Sequence, residues 1–262
     1  MEGIWFHGQF EAFLLPPGAG GMEISGVVRG LGLRYSGLDI NGEGMGIGGV
    51  VLRHGGKTYF PLTSSDSFHP NSVIRRLRLN GLSRRYLGPF DVTEAHRYIR
   101  EKLTPMYVGG GSFSPLFEFL MKVRSRLLKT RYVMCETIES CEVRYAFSKN
   151  SIQVKVKREN GRGRLIVANE FSGELFDTIL LDGEYLRPGP WTRINHTTPI
   201  LSSTKLGLGI QFILPDGTEV FAGREVQLPR LNWAGVDIAL EEGETDVSYE
   251  VRVSHKTSRR RP

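Results

Sequence analysis

Apolar and polar residues alternate along much of this chain. Val247, Tyr249, Val251 and Val253 interleave with Ser248, Glu250, Arg252 and Ser254, and Ile152, Val154 and Val156 interleave with Gln153, Lys155 and Lys157. A period of two belongs to a half-buried strand, whose successive side chains point to opposite faces. Five dipeptides punctuate the strand signals: Gly55-Gly56, Asn80-Gly81, Asn160-Gly161, Asp182-Gly183 and Asp216-Gly217. Each can supply the positive φ of a tight turn, so adjacent antiparallel hairpins are expected.

Two neighbouring segments change period. In GPFDVTEAHRYIREKLTP, Asp91 and Glu94 have capping-box spacing, Val92, Ala95, Ile99 and Leu103 share a helical face, and Pro105 follows. In SFSPLFEFLMKVRSRLLKTRY, Ser114 can cap, Pro115 suits a first turn, and Leu116, Leu120, Val123 and Leu127 keep helical spacing. The pattern predicts α-helices over about residues 91–104 and 115–130, joined by the glycine-rich hinge at 108–112.

The expected fold is mainly β: an antiparallel β-sandwich or barrel with this helical pair inserted at 89–131. Residues 1–262 read as a single β-rich domain ending in a disordered basic tail at 255–262. A division at the helices would leave a strand block of about 88 residues, small to stand alone. No apolar run reaches the length of a membrane helix, and the N-terminus lacks a basic leader, so a soluble, cytoplasmic protein without a membrane partner is expected.

Cys135 and Cys141 are too few for a disulfide framework and lack zinc-site spacing. On one strand their sulfurs would stand about 20 Å apart, whereas a hairpin at Thr137–Glu139 could bring them together.

Charge is unevenly distributed. The chain carries +6 overall, yet residues 70–131 hold 13 Lys and Arg against 4 Asp and Glu, and residues 170–250 hold 5 against 14. Such asymmetry suits an anionic partner, or docking of the basic part on the acidic part within one chain or between copies. A two-residue turn at Asn80-Gly81 would place Arg76, Arg78 and Arg85 on one face of a hairpin, with Arg76 and Arg85 directly opposed, and seat Leu77, Leu79 and Leu82 on the core. With Lys122, Arg124 and Arg126 of the second helix, these are the candidate anion-binding residues. The helix dipole also favours cations at that C-terminal end without any ligand. Arginine outnumbers lysine 25 to 9, a composition suited to bidentate contacts with phosphate or carboxylate.

The remaining motifs are weaker. Gly44-x-Gly46-x-x-Gly49 has dinucleotide spacing, but β-branched residues follow where a helix should, so no cofactor is expected. Glycines at 42, 44, 46 and 48 instead leave one face bare for close approach. TSSDSFHP reads as a turn rather than a hydrolase site, and the six histidines show no metal-binding spacing. In RPGPWTRINHTTP, Trp191, Arg193, Asn195 and His196 combine a stacking surface, a cation and hydrogen-bonding groups, the mixture a sugar-binding loop uses; Trp191 filling a core gap is the plainer role.

No motif specifies a reaction, which favours a non-enzymatic protein. Three functions fit: an arginine-presenting module for nucleic acid or another polyanion, a carbohydrate-binding or carbohydrate-active β-sandwich, and a protein self-associating through opposite charges.

Overall fold

The computed structural model describes residues 3–18, 26–86, 130–181, 184–186, 191–195, 197–228 and 231–255. Strands dominate them. A small N-terminal sheet comprises β1 (Trp5–His7), β2 (Phe10–Leu14), β3 (Leu31–Tyr35) and β4 (Leu38–Asp39). Then follow β5 (Gly46–His54), β6 (Lys57–His69), β7 (Ser72–Tyr86), β8 (Thr130–Phe147), β9 (Ser151–Arg158), β10 (Arg164–Ser172), β11 (Thr178–Leu181) and β12 (Glu184–Leu186). The last are β13 (Thr192–Ile194), β14 (Ile200–Ser203), β15 (Leu208–Ile213), β16 (Glu219–Leu228), β17 (Leu231–Leu240) and β18 (Asp246–His255).

Pairing is antiparallel throughout. One half of the ladder runs β13, β16, β17, β10, β5, and β5 passes the ladder to β6 through the Gly55-Gly56 turn. The other half continues β7, β8, β9, β18, β15, β14, β11, β12. The N-terminal sheet joins at β5 through Leu31 and Ile47.

The ladder folds over on itself. Tyr145 of β8 donates its hydroxyl to the Ile47 carbonyl of β5 at 3.0 Å, and Tyr249 of β18 donates to Asn169 Oδ1 of β10 at 2.6 Å. These strands are not ladder neighbours, so the two halves face each other as a sandwich. Both tyrosines are fully buried, which pushes their hydroxyls above the ordinary phenol range.

Alternation in sequence becomes alternation in burial. In β9, Ile152, Val154 and Val156 are buried while Gln153, Lys155 and Lys157 are exposed, each buried aliphatic contributing about 1.5–3 kcal/mol relative to exposure. The glycine-rich stretch packs as its bare face implies. Gly48 sits at φ 69°, where a Cβ would stand 2.9 Å from the Tyr145 hydroxyl, and a Cβ on Gly44 would stand 2.7 Å from the Glu170 carbonyl oxygen. Arg29 locks this loop by donating to the carbonyls of Gly42 and Gly44.

Several local expectations do not hold. Asn80-Gly81 makes no turn: β7 runs straight through it, with Asn80 paired to Thr137 of β8 and Gly81 to Tyr59 of β6. Its signature is spent on bulges at Leu79/Asn80 and Asn80/Leu82, a common place for glycine inside a strand. Hydrogen bonds along two full-length neighbours outweigh one local turn preference. TSSDSFHP is not a turn either; Thr63 to His69 belong to β6, and the chain reverses only at Pro70 and Asn71. Gly161 and Gly217 have φ of 64° and 78°, but the connections they serve link strands in different halves of the ladder rather than hairpin partners.

Thr130, the last residue of the expected second helix, is instead the first of β8 and pairs with Tyr86. The two expected helices lie outside the described residues, as do residues 256–262 of the expected tail, whose first residue, His255, ends β18. Cys135 and Cys141 share one continuous strand, β8, which excludes the hairpin that would have joined them. Burial, reinforced by Glu139, pushes the Cys141 thiol up to about 12. No helix among the described residues is long and apolar enough to cross a membrane.

Candidate ligand groove at one end of the sandwich

At one end of the sandwich β17 finishes, β16 and β18 begin, and the turn at Asp216-Gly217 crosses between the halves. These strand ends enclose an open groove of about 590 Å³, within the few hundred to about 1,000 Å³ typical of small-ligand sites. Its polar lining includes Arg193, Asp216, Glu219, Glu241, Glu244 and Asp246.

The register explains how these side chains meet. Arg193 pairs with Phe221, two residues beyond Glu219 on β16, while Ala239, two residues before Glu241, pairs with Glu219. Residues two apart on a strand share a face, so one face gathers Arg193, Glu219 and Phe221. Arg164 reaches the same place from the start of β10: its Nη2 donates to Glu219 Oε2 at 2.6 Å, its Nε lies 2.8 Å from Glu241 Oε1, and its guanidinium carbon sits 5.1 Å from the Phe221 ring centroid. Arg193 Nη1 holds the other oxygen of Glu219 at 3.3 Å. Glu219 is thus fixed through both oxygens by two arginines, and Glu241 shares one of them. The cation over an aromatic face adds about 0.5–1 kcal/mol at a partly exposed site.

Neighbouring loops are held as firmly. Glu244 Oε2 accepts from the Glu241 backbone N–H at 2.6 Å. Arg158 binds the carbonyls of Glu241 and Glu244 from one side and those of Arg162 and Gly163 from the other. Its burial lowers the guanidinium's proton affinity against the opposing pull of Glu139 and nearby carboxylates. Buried Glu139 in turn accepts from the backbone N–H groups of Ser140, Glu159, Asn160 and Arg162. The groove floor is therefore set before a ligand arrives.

Among the described residues of the loop 187–199, only Arg193 lines the groove. Trp191 is half-buried just before β13, Asn195 is exposed just after it, and His196 lies outside the described residues. Arg76 and Arg78 are exposed on β7. Arg76 pairs with Glu142 of β8 at 3.0 Å, and the backbone of residue 85 is in register with residue 131 of β8, so the opposed Arg76 and Arg85 of the expected hairpin do not occur. Arg75 is buried in a two-bond pair with Asp66 at 2.8 and 2.9 Å and donates to the Arg29 carbonyl. Lys122, Arg124 and Arg126 lie outside the described residues.

Sequence reading missed Arg164, Glu219 and Glu241. The only local signal was the general acidity of 170–250, because the three come from separate strands. Among the described residues, no three His, Cys, Asp or Glu side chains gather as metal ligands.

No family model matches the chain, and no curated protein matches it. Solved structures do. The α-N-acetylgalactosaminidase NagBb from Bifidobacterium bifidum aligns over 96% of this chain, with TM-score 0.51 and 8% identity for a quadruple mutant and TM-score 0.50 and 10% identity for the GalNAc complex. The likeness is one of fold. The chain spans 36% and 35% of those two structures' length. A galactose mutarotase-like protein from Lactobacillus casei aligns over 95% of this chain and 98% of its own, at 10% identity and TM-score 0.42.

Proposed function

We propose that this chain is a carbohydrate-binding β-sandwich domain and that the groove between β13, β16, β17 and β18 is its ligand site. The observation that carries the reading is the doubly held carboxylate Glu219, fixed beside Glu241 in an open groove. Fixed carboxylate oxygens accept hydrogen bonds from neighbouring sugar hydroxyls, and such charge-assisted bonds contribute about 1.5–3 kcal/mol each. Trp191, half-buried at the entrance to β13, offers an aromatic surface close to Arg193 in the chain. Support also comes from the shared fold with a protein solved in complex with GalNAc.

Calorimetric titration with hexose and N-acetylhexosamine oligosaccharides tests this. Saturable binding that Glu219→Gln weakens about tenfold, a loss of about 1.4 kcal/mol, is the expected result. No heat with any saccharide, from protein whose circular dichroism shows it folded, overturns it.

A further inference from the structure

We infer that the groove selects saccharides carrying no negative charge, neutral or amino-bearing, and rejects uronate and sulfated sugars; this rests on the carbohydrate reading above. The charge of the lining carries it: Asp216, Glu219, Glu241, Glu244 and Asp246 outnumber the cations among the described lining residues. An anionic sugar needs a guanidinium or ammonium free to turn toward it. Arg193, the one cation among the described lining residues, is paired with Glu219 at 3.3 Å. Arg164 is committed to both Glu219 and Glu241 and lies against Phe221. On the neighbouring strand Lys155 is 3.6 Å from Asp246, and exposed Lys157 stands in register with Asp246.

A sulfate or carboxylate would enter against this excess of negative charge. A hydroxyl meets no such penalty. It donates to a carboxylate oxygen and accepts from an arginine N–H not already engaged. An amino group gains further, since Asp216 and Glu244 also line the groove.

The geometry supplies a clean control. Asp216 is exposed at the turn between β15 and β16, beside Gly217 at φ 78°, and takes no part in the arginine-held carboxylate pair. Asp216→Lys changes the groove's charge by two without cutting any ion pair named above.

The test titrates the full chain and this variant with length-matched neutral, amino, hexuronate and sulfated oligosaccharides at about 0.01 M and about 1 M salt. Expected for the wild type is binding of the neutral and amino series, with the anionic series at least about tenfold weaker at low salt and the gap narrowing at high salt. Asp216→Lys should narrow the low-salt gap by about fivefold. Anionic sugars binding as tightly as neutral ones overturn the selectivity while leaving carbohydrate binding intact, and so does an unchanged gap in Asp216→Lys. If no series binds, the carbohydrate reading itself falls.

Discussion

Two arginine-bearing regions of this protein have opposite fates. On β7, Arg75 is buried against Asp66 and a backbone carbonyl, and Arg76 is matched one to one with Glu142. At the groove, Arg164 and Arg193 meet Glu219 and Glu241 beside open volume, with further carboxylates around them. The first arrangement closes: each cation has its own carboxylate. The second has acceptors fixed in place and space in front of them. Arginine density alone does not separate the two regions; the ratio of charges and the room beside them do.

The largest effect expected from breaking this comparison is at Arg75. Arg75→Ala strands Asp66, whose side chain is 21% exposed, and the Arg29 carbonyl, and should cost about 3 kcal/mol in urea unfolding. Arg76→Ala removes a pair whose side chains are 57% and 37% exposed and should cost under about 1 kcal/mol. Equal losses at the two positions would erase the distinction between a buried and a surface pair.

Arg164→Ala comes next. Losing both carboxylate contacts and the Phe221 face should cost about 1–2 kcal/mol of stability, together with about tenfold in saccharide affinity. Arg164→Lys should recover stability more than affinity, since a point-charge ammonium cannot hold two carboxylates as the planar fork does. Full recovery of binding in the lysine variant would show that the fork geometry is not needed.

The smallest effect concerns acid. Burial would raise the Asp177 carboxyl, but hydrogen bonds from the Thr204 hydroxyl and backbone N–H, and from Thr178, hold it below the ordinary aspartate value. A folded pKa below the unfolded one contributes stability that is present above the ordinary carboxylate range and lost as pH falls through the folded value. Wild type should exceed Asp177→Asn by under about 1 kcal/mol at neutral pH, with the difference vanishing in strong acid. Thermal unfolding across that range reads it directly, and a pH-independent difference would exclude the carboxylate as its cause.

How much of this was legible in advance differs by level. The strands β9 and β18 were plain, because burial of Ile152, Val154, Val156, Tyr249 and Val251 on one face is written in a local period of two. The bare glycine face was legible too, since only close packing explains it. The groove was not. Arg193 was singled out as part of a loop, but its partners Glu219 and Arg164 stand far away in sequence and look like ordinary strand-end charges.

The sequence by itself determined the β class, the antiparallel alternation and the segregation of charge, all properties of neighbouring residues and of composition. Tertiary structure decided whether Asn80-Gly81 turns or continues, which carboxylate each arginine meets, and where a groove opens. Strand pairing sums many hydrogen bonds along two neighbours, so it overrides a single turn preference. Ion pairing depends on distances that only the folded ladder fixes.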